Sequence, residues 1–175
     1  MTLTVYVVVL AMLAGCSSPP PYFDVNSEIH QAGPAAVGET IYVGVAFLRS
    51  REGDTVELEG LELVDPTLGA AEVESFAVDM RGVEGDSIGF VAESDPMSSA
   101  ATLAALAPIE GFRFSAAESW HPIAIVTGIT DDEPGNVGFR AITLLFRVND
   151  GPIQRQEIPS GVLVCVADPR PDSCD

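Results

Sequence analysis

The chain has 175 residues, with 26 acidic and eight basic side chains, and its formal net charge is −18 at pH 7. Hydrophobic residues make up 47% of it, too many for a disordered acidic tail, and the length predicts one domain with or without a terminal extension. The charge argues against nucleic acid as a partner and against docking on anionic lipid through a basic patch, because both need clustered basic side chains.

The first segment, residues 3–14, is almost entirely apolar and uncharged. A helix that spans a bilayer takes about 20 residues, so this shorter run fits the apolar core of a secretion signal. The run ends in Leu13-Ala14-Gly15-Cys16, which resembles the lipobox of bacterial lipoproteins, the site where the signal is cut and the cysteine acylated. The resemblance implies a signal peptide over residues 1–15, a lipid on Cys16 and attachment to the outer side of the cytoplasmic membrane.

One feature departs from this pattern. Residues 1–4 contain no Arg or Lys, although secretion signals usually begin with positive charge. Either the true start lies upstream, or the N-terminal amine supplies the charge alone.

Residues 16–38 are rich in Ser, Pro, Ala and Gly, a composition typical of a tether between a lipid and a folded domain. A second interpretation is that the segment docks on the domain as a first edge strand through its apolar members Tyr22, Phe23, Val25 and Ile29. The sequence leaves both open. The folded domain itself is expected over residues 39–175.

From residue 39 onward, runs of β-branched and alternating apolar and polar residues predict strands with one face in the core and one in water. The strands are expected at residues 40–48, 55–64, 72–80, 88–92, 122–130, 137–148 and 162–167. In the second of these, the alternation changes phase at Gly60, which predicts a β-bulge or a bend.

A single helix is expected at residues 97–107, with Asp95 as its N-cap, Pro96 at its first position and Pro108 ending it. About seven or eight strands with one short helix predict an all-β domain, an antiparallel immunoglobulin-like β-sandwich, with a closed barrel as the alternative. The whole resembles small bacterial lipoproteins with immunoglobulin-like domains, and the absence of Lys fits the GC-rich coding of an actinobacterial source.

If Cys16 is acylated, Cys165 and Cys174 remain as an even pair in an exported protein. A disulfide between them would hold the carboxyl tail to the last strand and contribute about 2–3 kcal/mol by the chain-entropy model. Two free thiols are the alternative. A Zn site would need four ligands at tight spacings, which the sequence lacks.

Candidate reactive groups are few, because the chain has two His. His121 precedes a predicted strand, and a hydrolase using it would need a nucleophile such as the Ser of a G-x-S-x-G elbow, which is absent. Three carboxylates in one turn, Asp131, Asp132 and Glu133, are candidate calcium ligands without the spacing of an EF-hand. The sequence has no nucleotide-binding motif, and no cofactor is expected.

Two predicted strands carry outward-facing carboxylates, which on one antiparallel sheet would form a shared acidic face: Glu57, Glu59 and Glu62 on the first, and Glu72, Glu74 and Asp79 on the second. Such a face either receives a basic partner or keeps the domain soluble.

The sequence therefore predicts a non-enzymatic, lipid-anchored envelope protein that acts by contacting another protein or a wall component. The alternatives are a calcium- or solute-binding module and, less favoured, a hydrolase that uses His121.

Overall fold

The computed structural model describes residues 20–24, 29–82, 90–92, 103–115 and 122–174. These residues form an all-β, sandwich-like fold, as the sequence predicts. Twelve strands lie within the described residues: β1 (Ile29–Ala36), β2 (Thr40–Leu48), β3 (Thr55–Val64), β4 (Glu72–Asp79), β5 (Phe90–Ala92), β6 (Ala107–Pro108), β7 (Arg113–Ser115), β8 (Ile123–Thr130), β9 (Gly135–Phe139), β10 (Ala141–Val148), β11 (Gln154–Ile158) and β12 (Ser160–Ala167).

The strands pair into three sheets. Their orders are β5-β2-β8-β4-β6, β11-β10-β3-β7 and β1-β12-β9. Within the described part of the chain, β1 and β12 run parallel and the other named pairs run antiparallel. The inward faces bury a common core of Val, Ile, Leu and Phe side chains, including Ile41, Leu58, Ile125 and Phe146, each at most 1% exposed.

Two irregularities shape the sheets. Leu145 pairs with Gly60 and Phe146 with Leu58, so Glu59 is the extra residue of a bulge. The bulge predicted at Gly60 is thereby confirmed. A second register shift lies in β2 between Gly44 and Ala46, a position that the alternation of the sequence did not reveal.

The strand predicted over residues 137–148 is in fact two strands that belong to different sheets. β9 pairs with β12, whereas β10 pairs with β3 and β11. Arg140 lies at the break, where its backbone N–H donates to the Val64 carbonyl at 3.0 Å. The hydrophobic pattern runs across this corner because the residues on both sides of it are buried in the same core.

The predicted helix falls mostly outside the described residues. Its expected end does not, and there Ala107 and Pro108 form β6, paired with Ala77 and Phe76. The helix therefore cannot extend to residue 107 as predicted, because that residue extends the sheet beyond β4. Cys16 and His121 also lie outside the described residues.

The amino-terminal segment docks on the sandwich wherever the structure describes it. Residues 29–36 form β1, and Phe23, in the segment that we call the strap (residues 20–24), is 1% exposed. Of the two interpretations that the sequence left open, docking describes these residues, and the sandwich begins before residue 39.

The carboxyl end is attached differently. Cys165 of β12 and Cys174 form a disulfide, as the sequence predicts. Arg170 also lies 3.3 Å from a Glu39 carboxylate oxygen. We call residues 168–174 the tail.

Candidate functional site: an uncharged sheet face

The turn proposed for calcium does not gather its carboxylates. Asp131 is 5% exposed, and its Oδ1 accepts a hydrogen bond from the Glu133 backbone N–H at 3.0 Å, while the side chains of Asp132 and Glu133 are exposed. Within the described ranges, no group of three or more His, Cys, Asp or Glu side chains is placed to hold a metal ion. The residues form a turn that links β8 to β9, two strands of different sheets, and Asp131 stabilises this turn from within.

The shared acidic face predicted from the sequence is wrong, because β3 and β4 belong to different sheets. On β3, moreover, each glutamate meets an arginine that is distant in sequence. Glu57 pairs with Arg113, Glu59 with Arg147 and Glu62 with Arg155. Since the sheet brings these arginines from β7, β10 and β11, neutralisation of the face depends on tertiary pairing.

The pairing continues at the end of β3. Arg140 lies 2.7 Å from Asp65 and 3.6 Å from Glu157. The hydrogen bond that Arg140 donates to Asp65 raises the pKa of Arg140, and the one that Arg113 donates to Glu57 raises the pKa of Arg113, so both guanidinium groups stay charged. We call this outer side of β7, β3, β10 and β11 the ion-pair face. Exposed pairs of this kind contribute at most about 1 kcal/mol each.

The outer side of β1 and β12 has a different character. In the parallel register, His30 lies beside Gly161, Ala32 beside Leu163, Pro34 beside Cys165 and Ala36 beside Ala167. Val162, Val164 and Val166, between the outward positions of β12, are each at most 5% exposed, so these eight partners share the outer side. None of the eight is Asp, Glu, Lys or Arg. We call this surface the uncharged face.

One end of the uncharged face is tied to the tail through the Cys165 disulfide. The other end opens into a shallow groove of about 330 Å³, whose lining includes His30, Ala32, Phe139, Arg140, Gly161 and Leu163. Among the described residues, Leu163 at 41% and Ile153 at 50% are the exposed large hydrophobic side chains. An apolar side chain is therefore offered to solvent where the face is open.

Glycine at position 161 lets the His30 ring lie across β12. A Cβ atom at this position would stand 2.5 Å from His30 Nδ1 and 3.2 Å from its Cε1. The imidazole thus forms one wall of the groove. An alanine here would displace the end of a side chain and leave the backbone pairing in place.

Glycine at position 138 has another role, because a Cβ there would lie 2.1 Å from the Val162 carbonyl oxygen. Its backbone N–H and C=O also bridge to Thr67 at 2.9 and 2.8 Å. Gly138 therefore allows β9 to approach β12 closely, and its hydrogen bonds to Thr67 hold β9 in place beside the groove.

Sequence reasoning missed this face because it depends on a pairing between residues about 130 positions apart. The one local signal is in β12 itself, where Leu163 occupies an outward position between buried valines.

Comparison with protein-family models, curated proteins and solved structures finds no match for this chain. Among the residues that the structure describes, no helix has the length and apolar character needed to cross a bilayer.

Proposed function

We propose that this protein is a non-enzymatic lipoprotein, anchored through Cys16 on the outer side of the cytoplasmic membrane, that binds an envelope protein through its uncharged face. The observation that carries the proposal is the contrast in charge. A chain with a net charge of −18 leaves eight adjacent outward positions of β1 and β12 without a charged side chain and exposes Leu163 among them.

The composition of this face is that of an interface centre. The cores of protein interfaces are depleted in charged residues, whereas solvated surfaces are enriched in them. The groove is open and shallow, so it suits an apolar side chain of a partner better than an enclosed small molecule. His30, which lines the groove, would set the orientation of the partner at the rim.

The disulfide supports the export that the proposal requires. Disulfides persist in oxidising compartments and are rare in the cytosol. The Cys165–Cys174 disulfide lies at the tail end of the uncharged face. Its presence is what we expect of an extracytoplasmic protein.

The anchor is tested by fractionation. Cys16→Ala should move the protein from the membrane fraction to the soluble extracytoplasmic fraction, because the acylation site is lost. Unchanged membrane partition of this variant would refute the lipoprotein proposal.

The binding surface is tested by photocrosslinking in intact cells. A photoreactive residue at position 163 should give a discrete crosslinked species, whereas one at Glu62, on the ion-pair face, should give none. The Gly161→Ala variant should weaken the crosslink at position 163, because the displaced imidazole narrows the groove. Equal crosslinking from both positions, or none from position 163, would contradict the assigned surface.

A further inference from the structure

The strap is part of the folded core. Phe23 is 1% exposed, and its ring centroid lies 4.7 Å from that of Phe146 on β10. Its backbone N–H donates to Gln156 Oε1 at 2.9 Å, and its carbonyl accepts from Gln156 Nε2 at 2.8 Å. The side-chain amide of Gln156, on the edge strand β11, thus pairs with the strap backbone in the way that a neighbouring strand would.

Tyr22 fixes the strap at the end of the sandwich. Its hydroxyl donates to Asp54 Oδ2 at 2.9 Å and accepts from the Arg51 backbone N–H at 3.2 Å. The Arg51 guanidinium lies 4.7 Å from the ring centroid, and its Nη2 donates to the Pro21 carbonyl at 3.2 Å. The described strap therefore begins, at Pro20, in a defined place.

That place is one end of the long strands. Pro20, Tyr22, Arg51, Asp54 and Val148 line one cleft, and we call this end the strap pole. The groove with Arg140 lies at the opposite end of β10, since Arg140 precedes Ala141 and the strap pole contains Val148. The eight residues of β10 separate the two ends by about 24 Å.

Cys16 precedes Pro20 by four residues. Four residues span about 14 Å at most, whereas a free tether up to residue 38 would reach about 80 Å. On the proposed lipid attachment, on which this inference rests, we infer that the strap pole faces the phospholipid headgroups and that the groove points away from the membrane.

The surface of the strap pole is compatible with a position close to the lipid, but it is not one that would bind lipid tightly. Pro20, Pro21, Pro152 and Ile153 are exposed at this end, and Ile153 is 50% exposed. Asp54 and Asp150 lie there too, and the net charge of −18 opposes tight binding to anionic headgroups. The short connection to Cys16, and not charge, would therefore hold the domain in this orientation.

The orientation is tested with the full lipidated chain in vesicles that contain a lipid with a fluorescence quencher on its headgroup. A thiol-reactive fluorophore is placed at Ile153→Cys, at the strap pole, or at Pro66→Cys, beyond the far end of β3. Cys165 and Cys174 are oxidised, and acylation blocks Cys16. We expect quenching at position 153 to exceed that at position 66 several-fold.

A matched control inserts a flexible Gly/Ser linker of about 20 residues between Ser18 and Pro19. It leaves the strap docked but lengthens its connection to the lipid, so quenching at position 153 should fall to the level at position 66. Equal quenching at both positions in the parent protein, with the protein bound to vesicles, would overturn the orientation alone. Failure to partition into vesicles would overturn the proposed function, and the orientation with it.

Discussion

The strap and the tail are both short terminal segments without regular secondary structure, yet they are attached to the sandwich by different forces. Phe23 holds the strap by burial, with both backbone polar groups of that residue paired to Gln156. The tail is held by a covalent bond, and its described residues beyond Asp168 remain at least partly exposed. In this chain the segment that contributes a large apolar side chain to the core has no crosslink, and the segment that contributes none has one.

The largest effect is expected when the strap loses its aromatic anchor. Phe23→Ala removes a fully buried ring that contacts Phe146 and Tyr22, and it should lower the free energy of unfolding by about 3–5 kcal/mol. Denaturant unfolding of the purified protein measures this loss. Phe23→Leu, which keeps most of the apolar volume, is the control and should cost less. A loss under about 1 kcal/mol for Phe23→Ala would show that the strap does not belong to the core.

A smaller effect is expected for the tail. The double change Cys165→Ser and Cys174→Ser should cost about 2–3 kcal/mol, because the unfolded chain regains the entropy that the short loop removes. Limited proteolysis should then cut the tail and leave the sandwich intact. Arg170→Ala is the matched control, because it removes the ion pair with Glu39 and leaves the disulfide in place. If the double variant is as stable as the parent protein, covalent attachment is not what holds the tail.

The smallest effect concerns pH. Burial of its hydroxyl, aided by the hydrogen bond to Asp54, raises the pKa of Tyr22 above its usual value of about 10. The folded state thus keeps this proton when the unfolded state loses it. The resulting stability is fully present below the usual tyrosine pKa and is lost as pH rises through the raised one.

The variant Tyr22→Phe should therefore cost about 1 kcal/mol at neutral pH and flatten the decline of stability above about pH 10. Thermal unfolding at a series of pH values compares it with the parent protein. Parallel pH profiles for the two proteins would contradict the role given to this hydroxyl.

The ion-pair face shows the same difference between features that neighbouring residues determine and features that distant residues determine. Each carboxylate of β3 is visible in the sequence as part of an alternating pattern, and so an acidic face was predicted. Its neutralisation by Arg113, Arg147 and Arg155 was not, because each arginine comes from another strand. Register, set by sheet pairing, decides which charges meet.

The sequence by itself determined the parts of this protein that depend on neighbours in the chain. A run of β-branched and aromatic residues placed β2 at its observed bounds, and alternation placed β3 at its own. The phase change at Gly60 located the bulge, and the cysteine count indicated the disulfide. It missed β11, whose Gln-Arg-Gln-Glu residues are polar because an edge strand has one partner and much solvent.

The tertiary structure alone decided how distant segments meet. It broke one predicted strand at Arg140, paired β1 with β12 in parallel, and buried Phe23 of a proline-rich segment. No local pattern encodes these outcomes, since each is selected by pairing or burial against segments distant in the chain, more than 100 positions away for β1 and for Phe23. The uncharged face and the position of the strap at one end of β10 follow from such long-range contacts.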